Sequence, residues 1–368
     1  MASIKKRPNG RWRARYRDEA GHEHARHFDR KTDAQTWLDE VTATIVTGIY
    51  ADPRAGRVTL QAYFEQWAAR QVWVNGTDRA MALAVASTTF TDTPMKSIQR
   101  SHIEGWIKKM TTDGLAPGTV KTRYNNVRSV FRAAVRDKII GTDPTTGVTL
   151  PRMRRSEHAL TIPTAEQVGK LIASADSPFK PFIALCAFAG LRLGEAAGVQ
   201  VSDIDFLGRT LHVTRQIQRE NGRKIEIRPP KYGSERDVYI PNELTTMLSA
   251  HIKKHGTHGE DGWLFVGAGD DPPHQNTVGY RWRTTVAKAK VAGFTLHDLR
   301  HFYASGLIAD NCDVVTVQRA LGHASATTTL RTYAHLWPTA EDRTRRAARS
   351  LMRTALAPAA DSSRTAEA

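Results

Sequence analysis

The chain has 368 residues, 53 Lys and Arg against 37 Asp and Glu, and a formal net charge of +16. Its 40% hydrophobic and 24% charged content exclude a disordered or fibrous chain, and its length suits two or three domains. The positive surplus asks for a polyanionic partner, with nucleic acid first and a membrane surface second.

Residues 1–57 read as a small basic unit, with nine Lys and Arg against four Asp and Glu in the first 30 positions. "RWRARYRD" alternates strictly: Arg11, Arg13, Arg15 and Arg17 on one side, Trp12, Ala14 and Tyr16 on the other, the pattern of a half-buried strand. "AGHEH" reads as a turn, "ARHF" as a strand, and "KTDAQTWLDEVTATIVTG" as an amphipathic helix ending at Gly48. The expectation is a three-stranded sheet backed by one helix. Four arginines on one strand face repel each other unless an anion neutralises them, which favours DNA contact over a solvated face.

"DPRAGR", 52–57, reads as a linker. Residues 58–150 carry apolar positions at three and four spacing through four helices, with Pro117 in the first turn of the last. That last helix presents Lys121, Arg123, Arg128, Arg132 and Arg136 around an apolar stripe, either for DNA backbone contacts or as a solvated face. Residues 151–163, proline-containing, basic and aperiodic, read as an interdomain linker.

From 164 to 340 the pattern is mixed. "TAEQVGKLIASA" opens on a threonine cap, and "PFIALCAFAG" is an apolar helix buried all round. "TLHVTR" and "KIEIRPPKYGSERDVYIP" read as strands, with "KYGSER" as a hairpin turn. Helices follow over 241–254, 275–291, 297–310, 313–321 and 326–337. In the tail, 341–368, "RTRRAARSLMRTAL" forms a basic and apolar helix suited to docking on a neighbouring protomer, and "ALAPAADSSRTAEA" reads as disordered. The fold class is multidomain α+β: a sheet-plus-helix unit, an all-α four-helix domain, and a mainly α domain with a small antiparallel sheet. No apolar run is long enough to cross a bilayer, and "MASIKKRPNG" shows no signal-peptide pattern. Cys186 and Cys312, without zinc spacing, read as reduced core thiols of a cytoplasmic protein.

Several polar residues of the last domain sit where apolar or neutral ones are expected. "AGLRLGE" puts Arg192 and Glu195 directly after the buried helix, and "PPKYGS" puts Lys231 in a turn. "LHDLRH" places His297 and Arg300 on one face of a helix start, where two donors suit an anion. "LGHASATTTLRTYAH" adds His323 and Tyr333. Each has a bland reading when taken singly: Arg192 as a cap paired with Glu195, Lys231 as a solvated residue, His323 as a helix-start histidine, Tyr333 as core beside Leu330 and Leu336. Taken together they supply two guanidiniums, an ammonium, two imidazoles and a phenol.

"GLRLGE", "HDLRHFYAS" and "LGHASATTTLRTYAHLW" resemble the signature boxes of the tyrosine recombinase family, and the whole chain resembles a temperate-phage integrase. The resemblance implies an arm-type DNA-binding domain (1–57, with Arg11, Arg13 and Arg15), a core-binding domain (58–150, with Lys121, Arg123 and Arg128) and a catalytic domain (164–340). It makes Arg192 and Arg300 the arginine pair, His297 and His323 the two histidines, Tyr333 the nucleophile and Glu195 a supporting acid. Lys231 takes the place of the hairpin lysine, with Lys224 as its competitor. Nine residues separate His323 from Tyr333, one more than in many members. The implied reaction cleaves and rejoins DNA through a 3′-phosphotyrosine and a Holliday junction, with four protomers on the DNA and neither ATP nor metal as cofactor. A host integration factor and an excisionase are implied partners, in a bacterial cytoplasm or nucleoid. Chemically, two guanidiniums grip phosphoryl oxygens in a fixed geometry, and nearby cations favour the phenolate of a group with an ordinary pKa near 10. His297 is expected to accept the phenol proton, Lys231 to protonate the departing 5′ oxygen and His323 to bond a phosphoryl oxygen. The alternative of another class is a non-catalytic architectural DNA-binding protein, which would form no covalent intermediate; a relaxing topoisomerase shares the tyrosine chemistry.

Overall fold

The computed structural model describes residues 2–18, 21–47, 50, 52, 54–152, 162–219, 225–267, 269–337 and 340–356. The chain divides into two units, Met1–Glu157 and His158–Ala368.

In the first unit, β1 (Ser3–Lys6), β2 (Trp12–Arg17) and β3 (Glu23–Phe28) form an antiparallel meander in chain order. Gly10, at φ +81, closes the first hairpin in a left-handed conformation that an Asn-Gly turn supplies without strain. Helix α1 (Lys31–Val46) lays Ala34 and Leu38 against Ala14 and Tyr16, so the alternation of "RWRARYRD" is the one that packs. Glu23 and His24 already belong to β3, because Asp18 closes a tight turn by accepting the His22 N–H. Gly48 lies outside the described residues.

The same unit holds α2 (Leu60–Ala68), α3 (Asn75–Ala86), α4 (Arg100–Thr112) and α5 (Pro117–Arg136). They close on a core that includes Tyr63, Phe64, Trp106, Val127 and Phe131. The Thr59 hydroxyl caps α2, and Pro117 begins α5, where its missing N–H costs nothing. On α5, Lys121, Arg128, Arg132 and Arg136 are exposed and Arg123 is half-buried. Most of the expected linker, 153–161, lies outside the described residues.

The second unit starts with α6 (Ala165–Ser174), capped reciprocally by Thr164 and Gln167. Helix α7 (Lys180–Phe188) buries every residue from Pro181 to Ala187. A buried Leu or Phe side chain contributes about 1.5–3 kcal/mol, so α7 is a firmly held axis. The short α8 (Leu193–Ala197) leads to β4 (Ile204–Asp205), β5 (Thr210–Val213), β6 (Gln216–Arg219), β7 (Ile225–Arg228) and β8 (Arg236–Tyr239). Next come α9 (Asn242–His255), α10 (Gln275–Ala289), α11 (Leu296–Ala309), α12 (Val314–Leu321), α13 (Ala326–Tyr333) and α14 (Ala340–Leu356). Helix α11 packs along α7. Residues 357–368, expected to be disordered, lie outside the described residues.

One expectation is corrected. "KYGSER" is not a hairpin turn, because β7 pairs with β6 whereas β8 pairs with β5, in sheet order β4-β5-β8. Pro229 and Pro230 have no N–H to continue the β7 ladder, and burial of Leu211 opposite Val238 selects β5 as the partner of β8. Lys231–Gly233 is instead a short 3₁₀ turn joining two separate sheets.

Candidate active site

The site is assembled from helix ends. After α7 the chain reverses at Gly190, φ +63, where a Cβ would lie 2.4 Å from the Tyr303 ring. Glycine is required there, and the reversal presents the Gly190 carbonyl to α11. Arg300 of α11 donates to that carbonyl and to the Leu321 carbonyl at the end of α12. Gly322, φ +62, ends α12 in the same way, and its carbonyl accepts from Arg192 at 3.2 Å. Two helix C-termini, the negative ends of their dipoles, thus hold two guanidiniums.

Between them lies Glu195, 1% exposed. Its carboxylate accepts from the Arg192 guanidinium at 2.6 Å and the Arg192 N–H at 2.9 Å, and from Arg236 of β8 at 2.8 Å. Burial opposes ionisation of Glu195, but the Arg236 bond and then Arg192 overcome it and hold the carboxyl down at about 2. Arg300 is also 1% exposed; burial, reinforced by Arg192, pushes it down to about 9, still charged at neutral pH. Arg192 and Arg236 share the Glu195 carboxylate and Arg300 lies within its electrostatic reach, so three guanidiniums face one carboxylate, leaving two positive charges for an anion to balance. Arg192 also donates to Ser234 Oγ at 3.2 Å.

The phenol comes from the end of α13. Tyr333 is 1% exposed, and its hydroxyl lies 2.6 Å from His301 Nδ1. Burial pushes the phenol up to about 12, against the pull of Arg300. Burial and then His297 push His301 down to about 4, so at neutral pH its Nδ1 accepts and the Tyr333 hydroxyl donates. His297 stands edge-to-face with His301, rings 4.7 Å apart, and burial lowers its pKa as well. It borders a cleft of about 570 Å³ lined also by Asn276, Trp282 and Arg283. His323 stacks parallel to Tyr333 at 6.5 Å, and its Nδ1 bonds Thr329 Oγ1 at 2.9 Å. Burial, then Arg300, pushes His323 down to about 4.

Arg192, Glu195, His297, Arg300, His323 and Tyr333 are thus linked through shared hydrogen bonds, stacked rings and electrostatic contacts. Lys231 is exposed and hydrogen-bonded to none of them; Lys224 lies outside the described residues. Two participants were not singled out from the sequence. His301 is one turn from His297, and its (i, i+4) spacing was the available signal. Arg236 gave no signal, since a basic residue at the start of an exposed-looking strand is ordinary. His297 was expected to accept the phenol proton; the imidazole hydrogen-bonded to the hydroxyl is that of His301, one turn further along α11, with the His297 ring beside it. Of the other expected contacts, Arg11 pairs with Asp29, and Arg13 and Arg15 share Glu23.

This helical frame sets a buried arginine–carboxylate–arginine core beside a histidine-bonded phenol. Residues 162–339 match the model of the phage integrase family, 2–47 that of the phage integrase N-terminal domain, and 75–140 a further phage integrase N-terminal model. The chain is 25% identical to the putative prophage phiRv2 integrase of Mycobacterium tuberculosis over 348 residues, 90% of each chain. It is 24% identical to the ICEBs1 integrase of Bacillus subtilis, over 68% of this chain and 71% of that one. Among solved structures, the Tn1549 transposon integrase in complex with transposon right end DNA superposes with TM-score 0.69, at 21% identity over 80% of this chain and 99% of that one. The lambda integrase tetramer bound to a Holliday junction gives TM-score 0.57, at 20% identity over 88% and 96%. The chain belongs to the phage integrase family and is a tyrosine-type site-specific DNA recombinase.

Proposed function

We propose that this recombinase cuts and reseals DNA through a 3′-phosphotyrosine on Tyr333, passing through a Holliday junction to integrate and excise phage or mobile-element DNA. The observation that carries the reading is the pairing of an under-neutralised cluster, Arg192, Arg236 and Arg300 around Glu195, with a phenol hydrogen-bonded to a neutral imidazole. Arg192 and Arg300 grip the equatorial oxygens of the scissile phosphate, whose charge grows in the pentavalent state. The Tyr333 oxygen attacks phosphorus as its proton passes to His301, and the P–O5′ bond breaks. The departing 5′ oxygen takes its proton from Lys231, three residues before Ser234, whose hydroxyl accepts from Arg192. His297 and His323 bond the phosphoryl oxygens. Resealing is the reverse: the 5′ hydroxyl attacks, phenol leaves, and the bond energy stored in the phosphotyrosine makes a nucleotide unnecessary. At 1% exposure Tyr333 must be uncovered before it meets a phosphate, so DNA binding has to shift α13.

The domains read as arm-binding (1–57), core-binding (58–150), linker (151–163) and catalytic (164–340), with the sheet arginines and α5 cations on DNA. Two protomers on each core site and four in the synapse are supported by the lambda integrase solved as a dimer on a core site and as a tetramer on a Holliday junction. A host integration factor, an excisionase and a bacterial cytoplasmic setting complete the proposal. The test is a nicked suicide substrate that traps the covalent complex. The unaltered protein should yield a gel-stable adduct, and Tyr333→Phe should bind the same DNA while losing at least about a thousandfold of adduct formation. An adduct persisting in that variant places the nucleophile elsewhere.

A further inference from the structure

Far along the sequence from this chemistry, the end of the β2–β3 hairpin gathers metal-ligating groups that DNA recognition leaves unused. Tyr16 faces His24 across the strand pair, and Asp18 follows Tyr16 by two residues, so all three share the inward side. Asp18 Oδ2 lies 2.8 Å from His24 Nε2, and the two side chains are only 6% and 9% exposed. His22 Nδ1 is 3.6 Å from the same oxygen. Asp52, from the segment after α1, brings a second carboxylate: one donor atom each from Asp18, His24 and Asp52 all lie within 4.8 Å of one another.

The composition makes this corner exceptional. In a segment dominated by arginine and lysine, two carboxylates come within 4.8 Å of one imidazole, and no Lys or Arg is ion-paired to either among the described residues. Placing two carboxylates side by side is unfavourable unless a cation lies between them. We propose that Asp18, His24 and Asp52, with His22 as fourth donor, form a structural site for a divalent transition-metal ion of the zinc type. Imidazole nitrogen with carboxylate oxygen is the donor set such ions take, at about 2.0–2.2 Å from each atom. Donors around a tetrahedral ion at that radius stand about 3.3 Å apart, so the Asp18–His24 contact opens by about half an ångström and the half-buried Asp52 swings inward. His22, 72% exposed at its side chain, is free to follow. The bound ion clamps the segment after α1 onto the sheet, tying metal affinity to the stability of the N-terminal unit rather than to strand exchange.

The test uses the full-length protein, stripped with chelator and titrated with Zn²⁺ by calorimetry and with Co²⁺ by visible absorption. The expected result is one tight Zn²⁺ per chain and a ligand-field band with Co²⁺. Asp52→Ala should weaken that binding at least tenfold and abolish the zinc-induced rise in unfolding temperature. Its unfolding temperature in chelator should match that of the unaltered protein, which shows the variant folded. Asp33→Ala, an exposed acid on α1, should leave binding unchanged, and His24→Ala should behave as Asp52→Ala does. No uptake by the stripped protein, or undiminished affinity and stoichiometry in Asp52→Ala and His24→Ala, overturns the proposal.

Discussion

The arginine face of the N-terminal sheet and the arginine cluster of the second unit use the same residue and opposite charge balance. On the sheet, Glu23 takes both Arg13 and Arg15, Asp29 takes Arg11, and all of these pairs stand at the surface. Such pairs contribute about 0–1 kcal/mol, so a polyanion can displace them cheaply. In the second unit Glu195 is buried between Arg192 and Arg236, while Arg300, among the described residues, hydrogen-bonds only carbonyls. The same residue type therefore carries a balanced charge on the sheet and an unbalanced one in the buried cluster. The sheet also shows that like charges on one strand need no external anion when the next strand supplies an acid.

The strongest way to break this contrast is Glu195→Gln, which leaves Arg236 buried without its counter-charge. It should cost about 3–5 kcal/mol, read from the urea midpoint. A loss under about 1 kcal/mol would put the buried cluster on the footing of a surface pair. Arg300→Lys keeps the charge but loses the fork between Gly190 and Leu321; adduct formation should fall about 10²–10³-fold at unchanged DNA affinity. Equal rates in both proteins would show that charge, not geometry, grips the phosphate.

His301→Ala should slow adduct formation about a hundredfold, as expected for a lost proton acceptor. A pH scan sharpens the same point. His301 and His323 stand at about 4 in the folded protein against about 6.5 when unfolded, so folding favours their neutral forms. The stability they confer is complete above about pH 6.5 and is lost as pH falls through about 4. The urea midpoint should drop across that window, and less so in His301→Ala; a flat midpoint would mean that both rings titrate alike in the folded and unfolded states. The smallest effect is expected on the sheet. Glu23→Gln should change stability by less than about 1 kcal/mol yet tighten arm-site DNA binding with a steeper salt dependence, as Arg13 and Arg15 lose their competitor. Weaker DNA binding in that variant would mean that Glu23 orients the arginines rather than occupying them.

Much of the architecture was legible because it rests on local periodicity: the alternation of "RWRARYRD", the threonine cap at Thr164, the apolar run of α7 and the four helices between 60 and 136. Strand pairing was less so. Seven residues separate β7 from β8, which look like a hairpin, but the pairing partner is set by burial of Val238 against Leu211, a contact between distant segments. His301 and Arg236 escaped for the same reason, since each acquires its role from a residue more than thirty positions away.

From sequence alone came the residue types of the site, their order and their placement at helix starts and ends, because capping, charge and amphipathic period are properties of short stretches. Only the tertiary structure decided which imidazole holds the phenol, which third guanidinium joins Glu195 and how many charges remain unbalanced. Those outcomes depend on how α7, α11, α12 and β8 converge, and desolvation in that packed interior sets proton positions that no linear pattern encodes.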